Sequence, residues 1–322
     1  MDNECILELD MNEEEIQLSE SERYDEGMLA DKTVYINGGE LYVVATPIGR
    51  IVDLTIRASR VLEQVDLIAA EDTRRAYIML NILGIRKKVI SNQKFNEYKR
   101  TDYFISELKA GKSVAVISDA GTPCISDPGN ELIIRAIEEG IKVTPIPGAC
   151  AAVTGVSASG FDLRSFVFRG FFPRETAEKK DELLNMRSGV SRTYIYYESP
   201  KRIKKTMEFF VSEEVPCRIC LCNDLTKTHE RFYRGTPEEV LAELNGNENS
   251  EKGEYTLIVE VAKEYFVSAA DSAISPEAMI IDEIVRNGGT VKDATAEILK
   301  NPLCPYSKNE LKAAGINLKN MF

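Results

Sequence analysis

Carboxylate and hydroxyl side chains are concentrated in one glycine- and proline-rich stretch, VISDAGTPCISDPG, at residues 116–129. Its two Ser-Asp pairs supply Asp119 and Asp127, and an apolar β-branched run precedes them. Carboxylates at the end of a buried strand are costly unless they are paired or used, and they suit a ligand that offers amines, hydroxyls or a positive centre. The stretch is therefore either a long surface loop or the wall of a ligand site.

Two more loops of this kind follow apolar strands, TPIG at 46–49 and PGACAA at 147–152. Glycine lets a backbone approach a ligand closely, and proline fixes the turn. Because the carboxyl ends of the strands of an open α/β sheet converge on its ligand crevice, three such loops favour a binding site over ordinary turns. The sequence has no GxxxxGK[ST], and no GxGxxG follows a strand. A nucleoside cation without phosphate groups fits this pattern.

The loops belong to a regular alternation of short apolar strands and amphipathic helices. The predicted strands cover residues 41–45, 66–70, 88–91, 113–118 and 141–146. This alternation predicts an α/β domain with a parallel sheet. Longer β-branched strands follow at 192–198, 218–224 and 255–262, with helices at 200–211 and 237–244 between them. They predict a second α/β domain with a mixed sheet.

The sequence accordingly divides into four parts. We expect an acidic, disordered extension at 1–37, an N-terminal α/β domain with the ligand loops at 38–160, a second α/β domain at 161–265, and a helical tail at 276–322. The boundary between the two domains is expected within 158–172.

The net charge of −12 is located almost entirely in the first part of the chain. Residues 1–31 hold twelve Asp or Glu against Arg23, a net of −11, which leaves about −1 for the rest. The body is therefore close to neutral, and the acidity does not exclude an RNA partner. Seven scattered cysteines are typical of cytosolic thiols, and no apolar run is long enough to span a bilayer. A cytoplasmic protein without a membrane partner is expected.

A set of motifs in fixed order resembles one known family. The motifs are ATPIG, DLIAAEDTRR, SDAGTPCISDPG, PIPGACAA, YYESPKR and LTKT. From Leu41 to Ala262 the chain resembles the bacterial 16S rRNA (cytidine-2′-O)-methyltransferases, the ribosomal RNA small subunit methyltransferase I family, which has the tetrapyrrole-methylase fold. The resemblance implies S-adenosylmethionine bound between two α/β domains, methyl transfer to a ribose 2′-hydroxyl of the small ribosomal subunit, and a homodimer.

The resemblance also assigns cofactor-binding residues to the three loops. They are Pro47, Asp119, Gly121, Thr122, Asp127, Ala149, Cys150 and Ala151. Asp119 is expected to bond the amino-acid or ribose part of the cofactor, and its alternative is to cap the following turn. Asp127 precedes Pro128-Gly129, so it either touches the cofactor or only shapes the turn.

Methyl transfer from a sulfonium is an in-line displacement in which positioning supplies most of the effect, and a base that accepts the hydroxyl proton helps. Lys227 is one candidate, because a desolvated lysine beside a cationic sulfonium has a depressed pKa; its alternative is a solvated loop lysine. Glu71 and Asp72 are the other candidates, and their alternative is a salt bridge to Arg74 or Arg75.

The predicted RNA contacts are Arg74, Arg75, Lys201 and Arg202, each with a solvated helix face as its alternative. No metal is expected. Cys217, Cys220 and Cys222 lack a second ligand pair, and they are interpreted as core thiols of a strand.

The chain has Asn223-Asp224 beside LTK, where members of the family usually carry Arg-Glu. Two other functions stay open for this reason and because the fold is shared. One is a methylase that acts on a tetrapyrrole or another small molecule, and the other is a non-catalytic assembly factor that binds RNA or cofactor.

Overall fold

The computed structural model describes residues 34–92, 97–188, 191–263, 274–300, 304 and 306–321. The expected disorder of 1–37 therefore lies mostly outside the described residues. In its described part, Val34 and Ile36 are partly buried against the core of the first domain, and the Asn37 N–H donates to the Tyr42 hydroxyl at 2.9 Å.

The first domain contains a five-stranded sheet whose strands are all parallel, in the order β3-β2-β4-β1-β5. The strands are β1 (Leu41–Val44), β2 (Leu67–Ala70), β3 (Lys88–Ser91), β4 (Val114–Ile117) and β5 (Val143–Ile146). All five predicted strands are confirmed. Their short apolar runs reflect helices that cover both faces of the sheet, because a parallel sheet buried on both sides needs apolar residues at every position.

Four helices cover the two faces of this sheet, and a fifth leads toward the second domain. They are α1 (Ile56–Gln64), α2 (Thr73–Ile82), α3 (Glu97–Lys109), α4 (Asn130–Glu138) and α5 (Ala151–Ser157). Helices α1 and α2 bury Leu62 and Leu80 against one face, and α3 and α4 bury Phe104 and Leu132 against the other. The loops that lead from a strand to the following helix emerge at the carboxyl edge of the sheet.

The second domain contains a mixed five-stranded sheet in the order β6-β7-β10-β8-β9. Its strands are β6 (Val167–Phe171), β7 (Thr193–Glu198), β8 (Cys217–Asn223), β9 (Arg231–Gly235) and β10 (Tyr255–Val261). Only the β6–β7 pair is parallel. The helices are α6 (Thr176–Ser188), α7 (Ile203–Ser212) and α8 (Pro237–Asn245). The mixed sheet is confirmed, although the sequence did not indicate the two edge strands, β6 and β9.

The two faces of the second sheet pack against different partners. One face carries the aromatic core of the second domain, with Tyr196, Phe210 and Tyr233 buried. The other face packs Ile195 and Ile258 against α5 and against Ile48 of the first domain. The first domain is thus held against this second face, and the cleft lies along the line of contact.

The helical tail is a three-helix module with a small core of its own. Its helices are α9 (Pro276–Asn287), α10 (Val291–Ile298) and α11 (Lys308–Met321). They pack around Ile280, Ala294 and Leu311, which confirms that the tail is helical. Throughout the described ranges, no helix has both the length and the apolar character needed to cross a membrane.

Candidate active site

A cavity of about 280 Å³ lies where the carboxyl edge of the first sheet meets the second domain. We call it the inner cavity. From the first domain its wall includes Ile48, Glu71, Arg75, Asp119, Ala120, Gly121, Thr122, Ile125, Ser126, Asp127 and Ala151, and from the second domain Phe171, Tyr197, Glu198, Glu254, Tyr255 and Thr256.

Backbone and side-chain hydrogen bonds tie the three glycine-proline loops together at this wall. Thr46 and Gly121 exchange two backbone hydrogen bonds, at 2.8 and 3.0 Å. The Thr122 hydroxyl donates to the Ala149 carbonyl at 3.0 Å, which joins the second loop to the third. The three loops therefore lie side by side at this wall, as their positions after strands of one sheet predict.

The loop after β4 holds an uncommon backbone conformation. Cys124 and Ser126 both have a φ of +71°, in the left-handed region that favours glycine. A non-glycine residue held there costs on the order of 1–3 kcal/mol, and it persists only where the surrounding structure fixes it. Residues 118–129 therefore form a fixed wall rather than a free surface loop.

Negative charge is concentrated in the inner cavity. Burial raises the pKa of Glu71, and the nearby carboxylates of Asp119 and Asp127 raise it further. Burial likewise raises the pKa of Asp127, although a hydrogen bond with Ser118 opposes the rise. Such a group of carboxylates is stabilised by a ligand that brings positive charge.

Asp119 occupies the centre of this group. Its Oδ1 accepts the backbone N–H of Asp72 at 3.0 Å, and its Oδ2 lies 3.3 Å from Nη1 of Arg75. These bonds do not support the alternative in which Asp119 caps its own turn. Both partners belong to α2 or to its N-cap.

The structure favours the structural alternative for Asp72 over a catalytic role. Asp72 is the N-cap of α2, and its carboxylate accepts from the Arg74 backbone N–H at 2.8 Å and from the guanidinium at 2.7 Å. Hydrogen bonding to Arg74 lowers the pKa of Asp72 to about 2. Asp72 borders neither the inner cavity nor the second cavity described below.

The expected depression of the Lys227 pKa is wrong. Its Nζ lies 2.8 Å from an Asp224 oxygen and 2.8 Å from a Glu254 oxygen. Burial lowers the pKa of Lys227, but the hydrogen bonds to Asp224 and Glu254 outweigh burial and raise it above the ordinary value. Lys227 is thus a cation in the cleft.

The four predicted RNA contacts differ in how accessible they are. The Arg74 side chain is 87% exposed, and Lys201 is also exposed. Arg75 borders the cavity. Arg202 is instead a structural residue, because its Nε donates to buried Glu198 at 2.7 Å and its Nη2 donates to the Phe172 carbonyl at 2.9 Å. The expectation that Arg202 contacts RNA is not supported.

Five of the eight predicted cofactor residues line the inner cavity. Asp119, Gly121, Thr122, Asp127 and Ala151 border the inner cavity. The remaining three are not among the residues that line the inner cavity. Pro47 borders the neighbouring cavity, the Ala149 carbonyl bonds Thr122, and Cys150 is the N-cap of α5.

Sequence reasoning missed the residues that the second domain contributes, among them Tyr197, Glu254 and Thr256. Tyr197 is the second-last residue of β7, and Thr256 lies near the start of β10, which pairs antiparallel with β7. The segments YYE and EYT, at the ends of two long strands, could have indicated these residues. That inference requires knowing that the two strands are neighbours.

A second cavity, of about 320 Å³, adjoins the first, and we call it the outer cavity. Much of its wall is apolar, with Ile51, Ile78 and Ile82 among the lining residues. Its charged residues are Arg75, Asp119, Lys227 and Glu254. The two cavities share the wall residues Ile48, Arg75, Asp119, Ala120 and Glu254.

The cysteines of β8 are core thiols, as predicted. Cys220 and Cys222 are fully buried on the face toward the first domain, and Cys217 is buried on the opposite face. Among the residues that the structure describes, no group of three or more His, Cys, Asp or Glu is arranged to hold a metal ion.

The family model described as Tetrapyrrole (Corrin/Porphyrin) Methylases matches residues 40–241 of the chain. This match and the fold define the class, that of a tetrapyrrole methylase. Diphthine synthase superposes with a TM-score of 0.54 at 14% identity, over 72% of this chain and 97% of that one, and shows the fold alone.

Two curated relatives narrow the class. "Ribosomal RNA small subunit methyltransferase I" of Halalkalibacterium halodurans is 45% identical over 69% of this chain and 76% of its own. The protein of the same name from Haemophilus influenzae is 40% identical over 86% of this chain and 96% of its own. The chain belongs to the ribosomal RNA small subunit methyltransferase I family. The family and fold class predicted from the sequence are therefore confirmed.

Proposed function

We propose that the chain binds S-adenosylmethionine in the inner cavity and transfers its methyl group to the ribose 2′-hydroxyl of a cytidine in 16S rRNA of the small ribosomal subunit. The observation that carries the proposal is the single cavity that all three glycine-proline loops of this methylase-family chain surround together with their carboxylates. The name of the two relatives, ribosomal RNA small subunit methyltransferase I, supports the rRNA substrate.

The residues around the inner cavity fit S-adenosylmethionine. Carboxylates of Glu71, Asp119 and Asp127 suit its sulfonium and ammonium charges, and the ring of Tyr197 and the side chain of Ile125 offer apolar contact for its adenosine. The loops give it no phosphate-binding pattern, which agrees with a ligand that has no phosphate. Asp119, Gly121, Thr122, Asp127 and Ala151 are the residues that we propose to hold it.

When bound, S-adenosylmethionine supplies a methyl group whose C–S bond breaks as the C–O bond to the ribose forms and the hydroxyl proton leaves. The chain must orient the acceptor oxygen and accept that proton. Glu71 is the proposed proton acceptor, because its Oε2 accepts the backbone N–H of Asp119, a residue of the wall that both cavities share, at 3.4 Å, and because burial raises its pKa toward the working range of a general base. Lys227 is proposed to stabilise the negative charge that develops on the ribose oxygen.

One experiment separates this function from its alternatives. The protein is incubated with labelled S-adenosylmethionine and small subunits from a strain that lacks the modification, with a tetrapyrrole acceptor in a parallel reaction. Label on a single cytidine ribose is the expected result. A labelled tetrapyrrole would instead support a small-molecule methylase, and cofactor binding without turnover would support an assembly factor.

Three further expectations belong with this proposal. We propose that the chain acts in the cytoplasm, where the small subunit is located, and that it forms a homodimer, which sedimentation equilibrium measures. The domain limits 38–160, 161–265 and 276–322 also stay predictions, and limited proteolysis followed by mass spectrometry of the fragments would test them.

A further inference from the structure

We infer that the outer cavity holds the nucleotide that receives the methyl group, as an unstacked residue of single-stranded RNA. The inference rests on the proposed methyl transfer and deepens it by assigning a separate site to the acceptor. Its volume of about 320 Å³ is similar to the 280 Å³ of the inner cavity.

The two cavities share one wall, and a methyl donor and its acceptor must likewise lie next to each other. Ile48, Ala120 and the Arg75–Asp119 ion pair border both cavities. Methyl transfer needs the acceptor oxygen near van der Waals contact with the methyl carbon, so the two ligands must meet at one boundary. The inner cavity carries the carboxylates that suit a cation, and this leaves the outer cavity for the acceptor.

The wall of the outer cavity includes exposed apolar side chains of α2. Ile78 and Ile82 project from α2, with 62% and 65% of their surface exposed, and Ile51 borders the cavity beside them. A nucleobase that has left its stack presents a flat apolar face, and proteins bind such bases by contact with that face. A base paired within a duplex cannot present its face in this way, so the target nucleotide must be unpaired or flipped out.

The cations of the cavity complement the charge of an RNA strand. Arg75 and Lys227 border it, and each already has carboxylate partners, so the cavity is close to neutral before RNA arrives. Phosphate groups on either side of the inserted nucleotide compete with these carboxylates for the cations. This arrangement favours a nucleotide within a strand over a free apolar ligand.

The test replaces Ile82 by a neutral polar residue, so that any effect reports the apolar wall and not a charge. The matched control is Ile137→Asn, because Ile137 is 61% exposed near the end of α4, on the opposite face of the same sheet. For each variant, S-adenosylmethionine affinity is measured by isothermal titration calorimetry. The KM for unmodified small subunits and the sedimentation mass are measured in parallel.

Ile82→Asn is expected to raise the KM for the subunits about tenfold or more and to change cofactor affinity less than about twofold. Ile82→Met, which keeps the wall apolar, should retain the wild-type KM, and Ile78→Asn should act in the same direction as Ile82→Asn. Ile137→Asn should change none of these values.

An unchanged KM in both Ile82→Asn and Ile78→Asn would overturn the inference. A change in sedimentation mass with Ile82→Asn would also overturn it, because the wall would then be covered by a second copy of the chain. The proposed function fails in a distinguishable way, since in that case the wild-type protein itself would not methylate the subunits.

Discussion

The guanidinium of Arg75 on α2 lies 3.3 Å from the carboxylate of Asp119 in the loop after β4, in the wall that the inner and outer cavities share. Arg75 has a side-chain exposure of 57%, so this ion pair contributes only about 0–1 kcal/mol to the free energy of unfolding. Its importance is positional, because it fixes a carboxylate where the positive centre of the proposed cofactor would lie.

Asp119→Asn is expected to weaken S-adenosylmethionine binding by about 10- to 100-fold. The amide keeps the size of the side chain and can still accept the Asp72 N–H, but it removes the charge that faces the ligand. Calorimetric titration measures the loss. Asp102→Asn, an exposed carboxylate on α3, is the control and should bind like the wild type. Equal affinities in the two variants would remove Asp119 from the binding site.

Lys227→Gln is expected to lower kcat about 10- to 100-fold, and Lys227→Arg should recover most of that loss. The reason is that the pKa of Lys227 is raised by its hydrogen bonds to Asp224 and Glu254, so the side chain acts through its charge. Arginine keeps the positive charge, but its guanidinium stays protonated and therefore cannot accept the hydroxyl proton. Single-turnover rates measure the effect. Failure of arginine to recover activity would restore Lys227 as the proton acceptor.

Gly49→Ala is expected to disturb the contact between the two domains. A Cβ at this position would lie 2.5 Å from Oγ1 of Thr226 and 3.0 Å from the Leu225 carbonyl oxygen, so the loops must separate. Overpacking of this kind costs roughly 1–3 kcal/mol, and we expect a lower unfolding midpoint together with weaker cofactor binding. In Gly246→Ala the new Cβ is 3.6 Å from its nearest neighbour, so denaturant titration of this control should match the wild type.

Glu40→Gln is expected to destabilise the first domain in a pH-dependent way. Burial alone would raise the pKa of Glu40, but its hydrogen bonds with Thr144, Asn37 and Lys142 lower it to about 2. Since the folded-state pKa is depressed, the carboxylate stabilises the fold at pH values above about 4.3, its ordinary value. This stabilisation is lost as the pH falls toward about 2.

Urea unfolding of the wild type and Glu40→Gln should therefore differ by roughly 2–3 kcal/mol at pH 6, and the difference should shrink toward zero near pH 2. Glu63→Gln, whose side chain is 56% exposed, is the control and should show less than about 0.5 kcal/mol at any pH. A difference for Glu40→Gln that does not depend on pH would mean that its charge plays no part.

The first domain could be predicted almost completely from the sequence, for a physical reason. Its three central parallel strands, β1, β2 and β4, are largely buried, so each is a short apolar run, and glycine and proline follow β1 and β4. The edge strands β6 and β9 were missed because VFRGF and RFYRG are short and interrupted by Arg and Gly, so neither has the continuous apolar run or the regular alternation that marks a strand in a sequence.

The candidate site was predictable only where it depends on local chain order. The three loops follow strands of one sheet, so their convergence could be inferred from the order of strands and helices. The raised pKa of Lys227 could not be inferred from the sequence. It depends on Glu254, which lies 27 residues further along the chain and comes close only when the second domain folds. Arg202 and Glu198 are only four residues apart, so their pairing could be inferred from the sequence. The burial of Glu198, which makes Arg202 a structural residue, depends on the whole fold and could not.

The shared Arg75–Asp119 pair has a consequence for the order of events at the site. A cation that takes Asp119 in the inner cavity frees the Arg75 guanidinium for a phosphate in the outer cavity. The two ligands are then coupled through one ion pair, and thermodynamic linkage requires each to raise the affinity of the other by the same factor. If Asp119 and Arg75 bind as proposed, we expect cofactor and RNA to bind cooperatively, and the spent cofactor, which has lost its sulfonium charge, to favour binding of the modified strand less.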